Sequence, residues 1–372
     1  MNALALTRDL LRYDTINPPG EEQACARHVG PLLEGAGFAV AEYEFGPRRT
    51  SLVARLGGRA DTPPLCFTGH LDVVPLGARP WTREPFTGEI DGSRLYGRGA
   101  SDMKSGVAAF VVAVTALAAR LRESPGVVLV ITASEETFCE GSRHLASLGG
   151  VLGQAGAIVV AEPTCNYPFV GHKGALWLRA HATGVTAHGS MPERGVNAVY
   201  KAARAALRLE QFRFDTAPHP VLGAPTLNVG TFHGGINVNS VPDAAEIGID
   251  IRTIPEQKHA LLFEQLTDYL GDEVALENFS DAAGVWSDPD EPWIQSVYDV
   301  AAPIIGERPV ARAAPYFTDA AALTPAYGGP PTVILGPGEL SMAHQTDEYC
   351  EVARLEQSVE LFTELTRRWC RL

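Results

Sequence analysis

The amino-acid sequence predicts an α/β protein: a larger domain with a mixed, largely parallel sheet flanked by helices, interrupted by a smaller α+β domain of ferredoxin-like pattern. Three features of the chain predict it. In the first half, short β-branched apolar runs alternate with helical stretches, the rhythm of a largely parallel sheet. The middle changes to alternating strands around two helices, the β-α-β-β-α-β order of a small α+β domain. After about Val285 the α/β character returns, so the smaller domain reads as an insertion. At 372 residues the chain has room for two average domains.

The elements follow in order. Residues 1–11 read as a short amphipathic helix and not as a signal peptide, since they carry no basic region followed by an apolar run and a small-residue cleavage site. Residues 64–69 read as a buried strand, and the apolar, alanine-rich stretch 103–121 as a helix. Residues 126–134 (GVVLVITAS) form a continuous β-branched run between a Pro-Gly turn and acidic residues. Residues 157–160 form another, ending in Glu162 and Pro163. Residues 175–183 (ALWLRAHAT) alternate like a half-exposed strand. A helix follows over 196–209, then strands over 226–229 and 245–253, then a helix over 255–270. The short Pro-rich stretch 217–225 reads as a loop. No internal repeat or low-complexity segment is visible.

Composition narrows the function classes. Hydrophobic residues make up 45% and charged residues 20%, enough apolar surface for a sizeable soluble core. The formal net charge of −14 repels phosphate backbones, which excludes nucleic acid as the expected partner. An anionic substrate would need local cations. No run reaches the ~20 apolar residues of a spanning helix, so no membrane role is expected. The six cysteines, Cys25, Cys66, Cys139, Cys165, Cys350 and Cys370, form no Cys-x-x-Cys pair. They read as reduced thiols of a cytoplasmic protein, with Cys139 and Cys165 as packing residues near acidic motifs.

Acids and histidines gather at strand ends. His70 closes the 64–69 strand, and Asp72, two residues on, points the same way. A carboxylate so placed can take the second ring proton of a metal-binding histidine. Asp102 lies among Gly97, Gly99 and Gly106 before the long helix, where it could equally serve as an N-cap. Glu135 and Glu136 end the 126–134 run. Adjacent carboxylates at the mouth of a buried strand are expensive unless a cation holds them. Because consecutive side chains point differently, one could bind metal while the other moves protons. Glu162 follows a buried strand in the same way, and His344 follows a Gly/Pro turn. Each alone has a plain reading as an exposed or structural residue. Together they form a mixed His/carboxylate set beyond the carboxyl ends of strands, enough for a bridged pair of metals.

The motifs that carry these residues are 68–75 (TGHLDVVP), 97–106 (GRGASDMKSG), 134–136 (SEE), 161–164 (AEPT) and 343–349 (AHQTDEY). In that order they closely resemble the zinc-dependent amidohydrolase and exopeptidase family of acetylornithine deacetylase, succinyl-diaminopimelate desuccinylase, aminoacylase-1 and carboxypeptidase G. The resemblance implies two divalent metal ions, Zn2+ first, with Co2+ or Mn2+ as alternatives. It implies that His70 and Glu162 hold one, that Glu136 and His344 hold the other, and that Asp102 bridges them beside a cis Asp102–Met103 peptide. Asp72 would orient His70, and Glu135 would be the general base. It divides the chain into a catalytic domain, 1–173 and 286–372, and an inserted lid and dimerisation domain, 174–285. Residues 184–198 (GVTAHGSMPERGVNA) resemble the lid motif, whose His188 would stabilise the oxyanion in the active site of a partner subunit. Asn239 and Arg252 resemble the residues that grip the substrate's α-carboxylate, a task suited to the planar guanidinium fork. A homodimer through the lid is therefore expected, acting on a small N-acylated amino acid or short peptide.

Within the family, residues 315–320 (PYFTDA), 335–339 (LGPGE) and Lys173 look more like acetylornithine deacetylases than desuccinylases. The absence of a leader weighs against a periplasmic carboxypeptidase G. A desuccinylase, dipeptidase or carboxypeptidase shares the same chemistry and stays open. So do two readings outside catalysis: a metal-binding regulatory or scaffold protein that has lost activity, and an amino-acid-binding module.

Overall fold

A computed structural model describes residues 2–58 and 61–372. It divides into two compact units. The larger takes residues up to Gly171, Trp286–Ala313 and Thr318–Leu372, and the smaller His172–Val285 with Ala314–Phe317.

In the larger unit, six described strands form one mixed sheet. Its order is Ala39–Gly46, Arg49–Leu56, Val127–Thr132, Leu65–His70, Ala157–Val160, Thr332–Ile334. The first three pair antiparallel and the last four pair parallel. The Leu65–His70, Val127–Thr132 and Ala157–Val160 strands are buried along their whole length. That is why they read as continuous apolar runs rather than alternating ones. Register aligns His70 with Thr132 and Thr68 with Val160, so the three parallel strands end on one edge of the sheet. The hairpin Ala39–Gly46 and Arg49–Leu56 was not anticipated. Its first strand carries a mixed polar pattern and lies at the sheet margin, without the buried run that announces a strand.

The helix expected over 103–121 is real but breaks at Leu117, into Lys104–Ala116 and a short Ala118–Leu121 turn. Every residue from Lys104 to Val114 is buried, the pattern of a helix enclosed on all sides. It packs with Ala3–Leu11 and Val352–Cys370 in the larger core, where Phe67 stacks on Phe110 and meets Phe362 edge-on.

The smaller unit holds a four-stranded antiparallel sheet, ordered Thr226–Gly234, Ala244–Thr253, Gly174–Thr183, Ala275–Ala282. The Ala198–Gln211 helix starts at Asn197, whose side chain accepts the Tyr200 N–H. It buries Ala198, Ala202, Ala205 and Leu209, while His259–Leu270 buries Leu262, Leu266 and Leu270. Both stripes cover one face of the sheet, through Leu176, Leu178, Ile247, Ile249 and Ile251. The last strand, Ala275–Ala282, completes the expected order, although its sequence ALENFSDA had announced no strand. The segment 314–317 joins this unit because Ala314 bridges His172 and its carbonyl accepts the Lys173 N–H at 3.0 Å.

Candidate metal centre

The sheet edge delivers the site. His70 is the last residue of its strand, Glu135 and Glu136 follow the strand that ends at Thr132, and Glu162 follows the one that ends at Val160. Asp102 arrives from the turn before the buried helix, and its peptide to Met103 is cis. His344 comes from the loop after the Thr332–Ile334 strand, with φ 63°.

These side chains form two groups that share Asp102. His70, Asp102 and Glu162 make the first, and Asp102, Glu136 and His344 the second. In each group one ligand-type atom per residue lies within 4.8 Å of the others. His70 Nε2 is 3.2 Å from Asp102 Oδ1 and 3.7 Å from Glu162 Oε1. His344 Nε2 is 3.1 Å from Glu136 Oε2 and 3.5 Å from Asp102 Oδ2. Glu135 is buried beside them at 6% exposure and belongs to neither group. Its Oε1 has the Cys139 thiol at 3.9 Å.

The electrostatics call for cations. Burial, reinforced by the Asp102 charge, pushes Glu162 well above the usual carboxylate range and Glu136 up to about 7. Burial and the Glu162 charge do the same to Glu135. Burial also works against charge on Asp102, but the His70 hydrogen bond and charge hold its pKa below the ordinary value. Glu136 Oε1 is buried with no hydrogen-bond partner. Several buried carboxylates facing two histidines are costly alone and stable around divalent ions. The donors are imidazole nitrogens and carboxylate oxygens, a set suited to zinc and its neighbours. The residues present therefore fit a two-metal centre.

Residues 66–368 match the profile of peptidase family M20/M25/M40. The chain belongs to this family. A probable succinyl-diaminopimelate desuccinylase of Staphylococcus epidermidis is 33% identical over 381 residues, covering 93% of this chain and 92% of its own. An acetylornithine deacetylase of Edwardsiella ictaluri is 31% identical over 319 residues, covering 82% and 80%. Among solved structures, an M20-family metallo-carboxypeptidase of Sulfolobus solfataricus covers 100% of both chains with a TM-score of 0.82 at 18% identity. A dinuclear metal-binding M20 peptidase of Bacillus subtilis covers 99% of this chain and 98% of its own, with a TM-score of 0.74 at 17% identity. At those identities the structures speak for the fold. The family makes the chain a metal-dependent hydrolase.

In this M20 hydrolase the loops that carry these residues are braced by Asp72 and by three residues that sequence reasoning had not singled out, Asn17, Arg98 and Glu348. The Asp72 carboxylate accepts the N–H groups of Glu135 at 3.0 Å and Glu136 at 3.1 Å, and the Asn17 amide at 2.9 Å. His70 Nδ1 lies nearer the Asp72 carbonyl, 2.9 Å, than its carboxylate, 3.5 Å. The Asp72 carbonyl is thus the nearer partner of His70, while its carboxylate takes the Glu135 and Glu136 amides. Glu348, buried, accepts the N–H groups of Gly99, Ser101 and Asp102 and pairs with Arg98 at 2.6 Å. Arg98 also donates to the Gln345 carbonyl, beside His344. The reading of Asp102 as a helix cap falls away, because Met103 is the N-cap and no side chain caps that end. Arg98 and Glu348 lie inside motifs already quoted, and that was their signal. Asn17 had none.

The remaining expected residues of the M20 hydrolase lie in the smaller unit. His188 is exposed, its short strand pairs with Ser240, and its Nδ1 is 2.7 Å from Ser190 Oγ. Asn239 is next to it, its carbonyl accepting the Gly189 N–H at 2.7 Å. Arg252 sits on the Ala244–Thr253 strand with Nε 3.0 Å from Asp250 Oδ1. Lys173 stands near enough that burial and the Arg252 charge lower its pKa. The described cysteines are free, and Cys139 is buried as expected of a packing residue. No described helix is long and apolar enough to cross a membrane.

Proposed function

We propose that this hydrolase cleaves the amide bond of an N-acyl amino acid, releasing a carboxylate and the free amino acid, in the manner of an acetylornithine deacetylase. The observation that carries the reading is the division of the cluster. Five residues form two candidate ligand groups that share Asp102, and Glu135 is left over, buried and outside both groups, beside them.

Two divalent cations held by His70, Asp102, Glu162, Glu136 and His344 would polarise the acyl oxygen and acidify water. Glu135 Oε takes one proton from the attacking water as its oxygen bonds to the acyl carbon. Glu135 then returns that proton to the amide nitrogen as the C–N bond breaks. Asp72 keeps the Glu135–Glu136 backbone in place throughout. The 174–285 segment acts as lid and dimerisation domain of a catalytic domain formed by 1–173 and 286–372. Arg252 and Asn239 grip the substrate carboxylate, and Lys173 beside Arg252 strengthens the local positive field. His188, exposed, serves the oxyanion of a second copy's site.

A second copy is the expected partner. Tyr200 and Leu207 on one helix and Phe232 on the adjacent sheet-edge strand are apolar and exposed. They flank a groove lined by Ala203, Ala206, Leu227 and Val229. We place the enzyme in the cytoplasm, consistent with its six free thiols.

The test is a panel of N-acetylornithine, N-succinyl-diaminopimelate, N-acyl hydrophobic amino acids and dipeptides, with and without chelator. N-acetylornithine is expected to show the highest kcat/KM, lost on chelation and restored by Zn2+, Co2+ or Mn2+. A preference for dipeptides, or turnover indifferent to chelator, would overturn the reading. N-succinyl-diaminopimelate is the second reading, favoured by the 33% identity to a probable desuccinylase across nearly the whole chain.

A further inference from the structure

Asp319 is a buried carboxylate that the hydrolytic scheme does not use. It is 1% exposed and stands at the start of the Ala320–Ala326 helix, where an aspartate normally caps. It does not cap: that helix end has no side-chain cap from Asp319, and the Ala320 N–H is met by Thr318 Oγ1 at 3.1 Å. Its two oxygens go elsewhere. One accepts the Thr132 hydroxyl, and the other accepts Ser142 Oγ at 2.6 Å.

Those two hydroxyls bracket the turn that carries Glu135 and Glu136. Thr132 is the last residue of the strand before it and pairs in register with His70. Ser142 lies in the first turn of the Glu140–Ser147 helix after it. Between them Ser134, Phe138 and Cys139 all have positive φ, 64°, 72° and 57°. A non-glycine residue held there is strained and persists only where the surroundings over-determine it. Asp72 holds the turn at the amides of Glu135 and Glu136. Asp319 holds its two ends. A carboxylate so deeply buried, bonded to two neutral hydroxyls, is a costly way to build a core and a direct way to hold a fixed path.

We propose that Asp319 is a positioning residue: by tying Thr132 to Ser142 it fixes the path of the turn and so aims Glu135. The proposal rests on Glu135 as the proton carrier. The test compares Asp319→Ala, Asp319→Asn and Ser142→Ala, with Glu135→Ala as reference, by kcat, KM, metal content, thermal unfolding and amide hydrogen exchange of the metal-free protein. Asp319→Ala is expected to lower kcat about 100-fold, the scale of a small misplacement of a catalytic group. KM and metal content should hardly change, and exchange at the Glu135, Glu136 and Cys139 amides should speed up. Asp319→Asn keeps the shape and can bond both hydroxyls, so it should recover most of the loss. Ser142→Ala, which cuts one arm of the tether in an otherwise intact fold, should fall between. Asn as inactive as Ala would assign the effect to charge and overturn the proposal. Unchanged kcat in Asp319→Ala and Ser142→Ala, or a loss of metal that accounts for the lost turnover, would overturn it too. If Glu135→Ala kept its turnover, the proton-carrier reading itself would fall, whatever the exchange data showed.

Discussion

At the scale of single residues, the proposed scheme separates holding from moving. His70 and Asp102 stand within ligand distance of their group, and Glu135 stands outside both groups. Glu135→Ala is therefore expected to keep two equivalents of metal while kcat falls about a thousandfold, within the range of a lost general base. His70→Ala should lose metal. Elemental analysis beside steady-state kinetics checks both, and near-wild-type turnover in the Glu135 variant would remove it from the scheme. A second residue gives a pH prediction. His172 is fully buried, its Nδ1 is 2.9 Å from the Lys173 carbonyl, and its Nε2 has no partner. Burial pushes its pKa down to about 4, below the ~6.5 of an unfolded histidine. Its neutral form is thus fully compatible with folding above about pH 6.5, and the contribution is lost as pH falls toward 4. Between pH 7 and 5 the wild type should lose about 2 kcal/mol more stability than His172→Gln. Urea titrations at both values measure this, and equal losses would contradict it.

At the scale of elements, the geometry depends on how closely a helix approaches a strand end. Gly106 lies in the Lys104–Ala116 helix, and a Cβ there would stand 2.1 Å from the Ala161 carbonyl, one residue before Glu162. That contact is backbone, so the helix or the strand end must shift. Gly106→Ala should cost about 1–3 kcal/mol, the usual range for overpacking. It should also weaken metal binding by the group containing Glu162. Differential scanning calorimetry and metal titration test this, and an unchanged transition with full metal content would refute it. The nearby turn needs glycine for a different reason: Gly99 has φ 91°, and its N–H meets Glu348.

At the scale of the molecule, the acidic chain of net charge −14 concentrates some of its anions where cations can compensate them. The other whole-molecule property is association. Leu207, 60% exposed, and Phe232, 41% exposed, lie on a helix and an edge strand of the smaller unit, an arrangement that a second copy could cover. Leu207→Glu is expected to shift the protein to monomer in sedimentation velocity, with its metal retained and its activity reduced because His188 no longer reaches a second site. A monomeric wild type at full activity would dispose of both the dimer and the role in trans.

How much was legible follows from the range of each interaction. The strands that end at His70, Thr132 and Val160 were readable because a strand buried on both faces must be apolar along its whole length. The acids and histidines stood out because charge at the end of such a run needs a reason. The ordered motifs then identified the family. The margin strand Ala39–Gly46 and the strand Ala275–Ala282 were not readable, because partly exposed strands tolerate mixed sequence, and the largely buried Arg49–Leu56 was masked by Arg49, Thr50, Ser51 and Arg55 among its apolar residues. Nor was the bracing. Asp319 meets Thr132 across 187 residues, and Glu348 meets Asp102 across 246. Residue type and strand ends were enough to mark the candidate histidines and carboxylates, and the ordered motifs, by resemblance, to suggest which would hold metal and which would carry a proton. Only the tertiary structure decided that Asp102 falls within ligand distance of both groups, that Glu135 falls outside both and that Asp319 turns from its own helix to the loop. Those outcomes depend on distances between residues far apart in the chain, which packing sets.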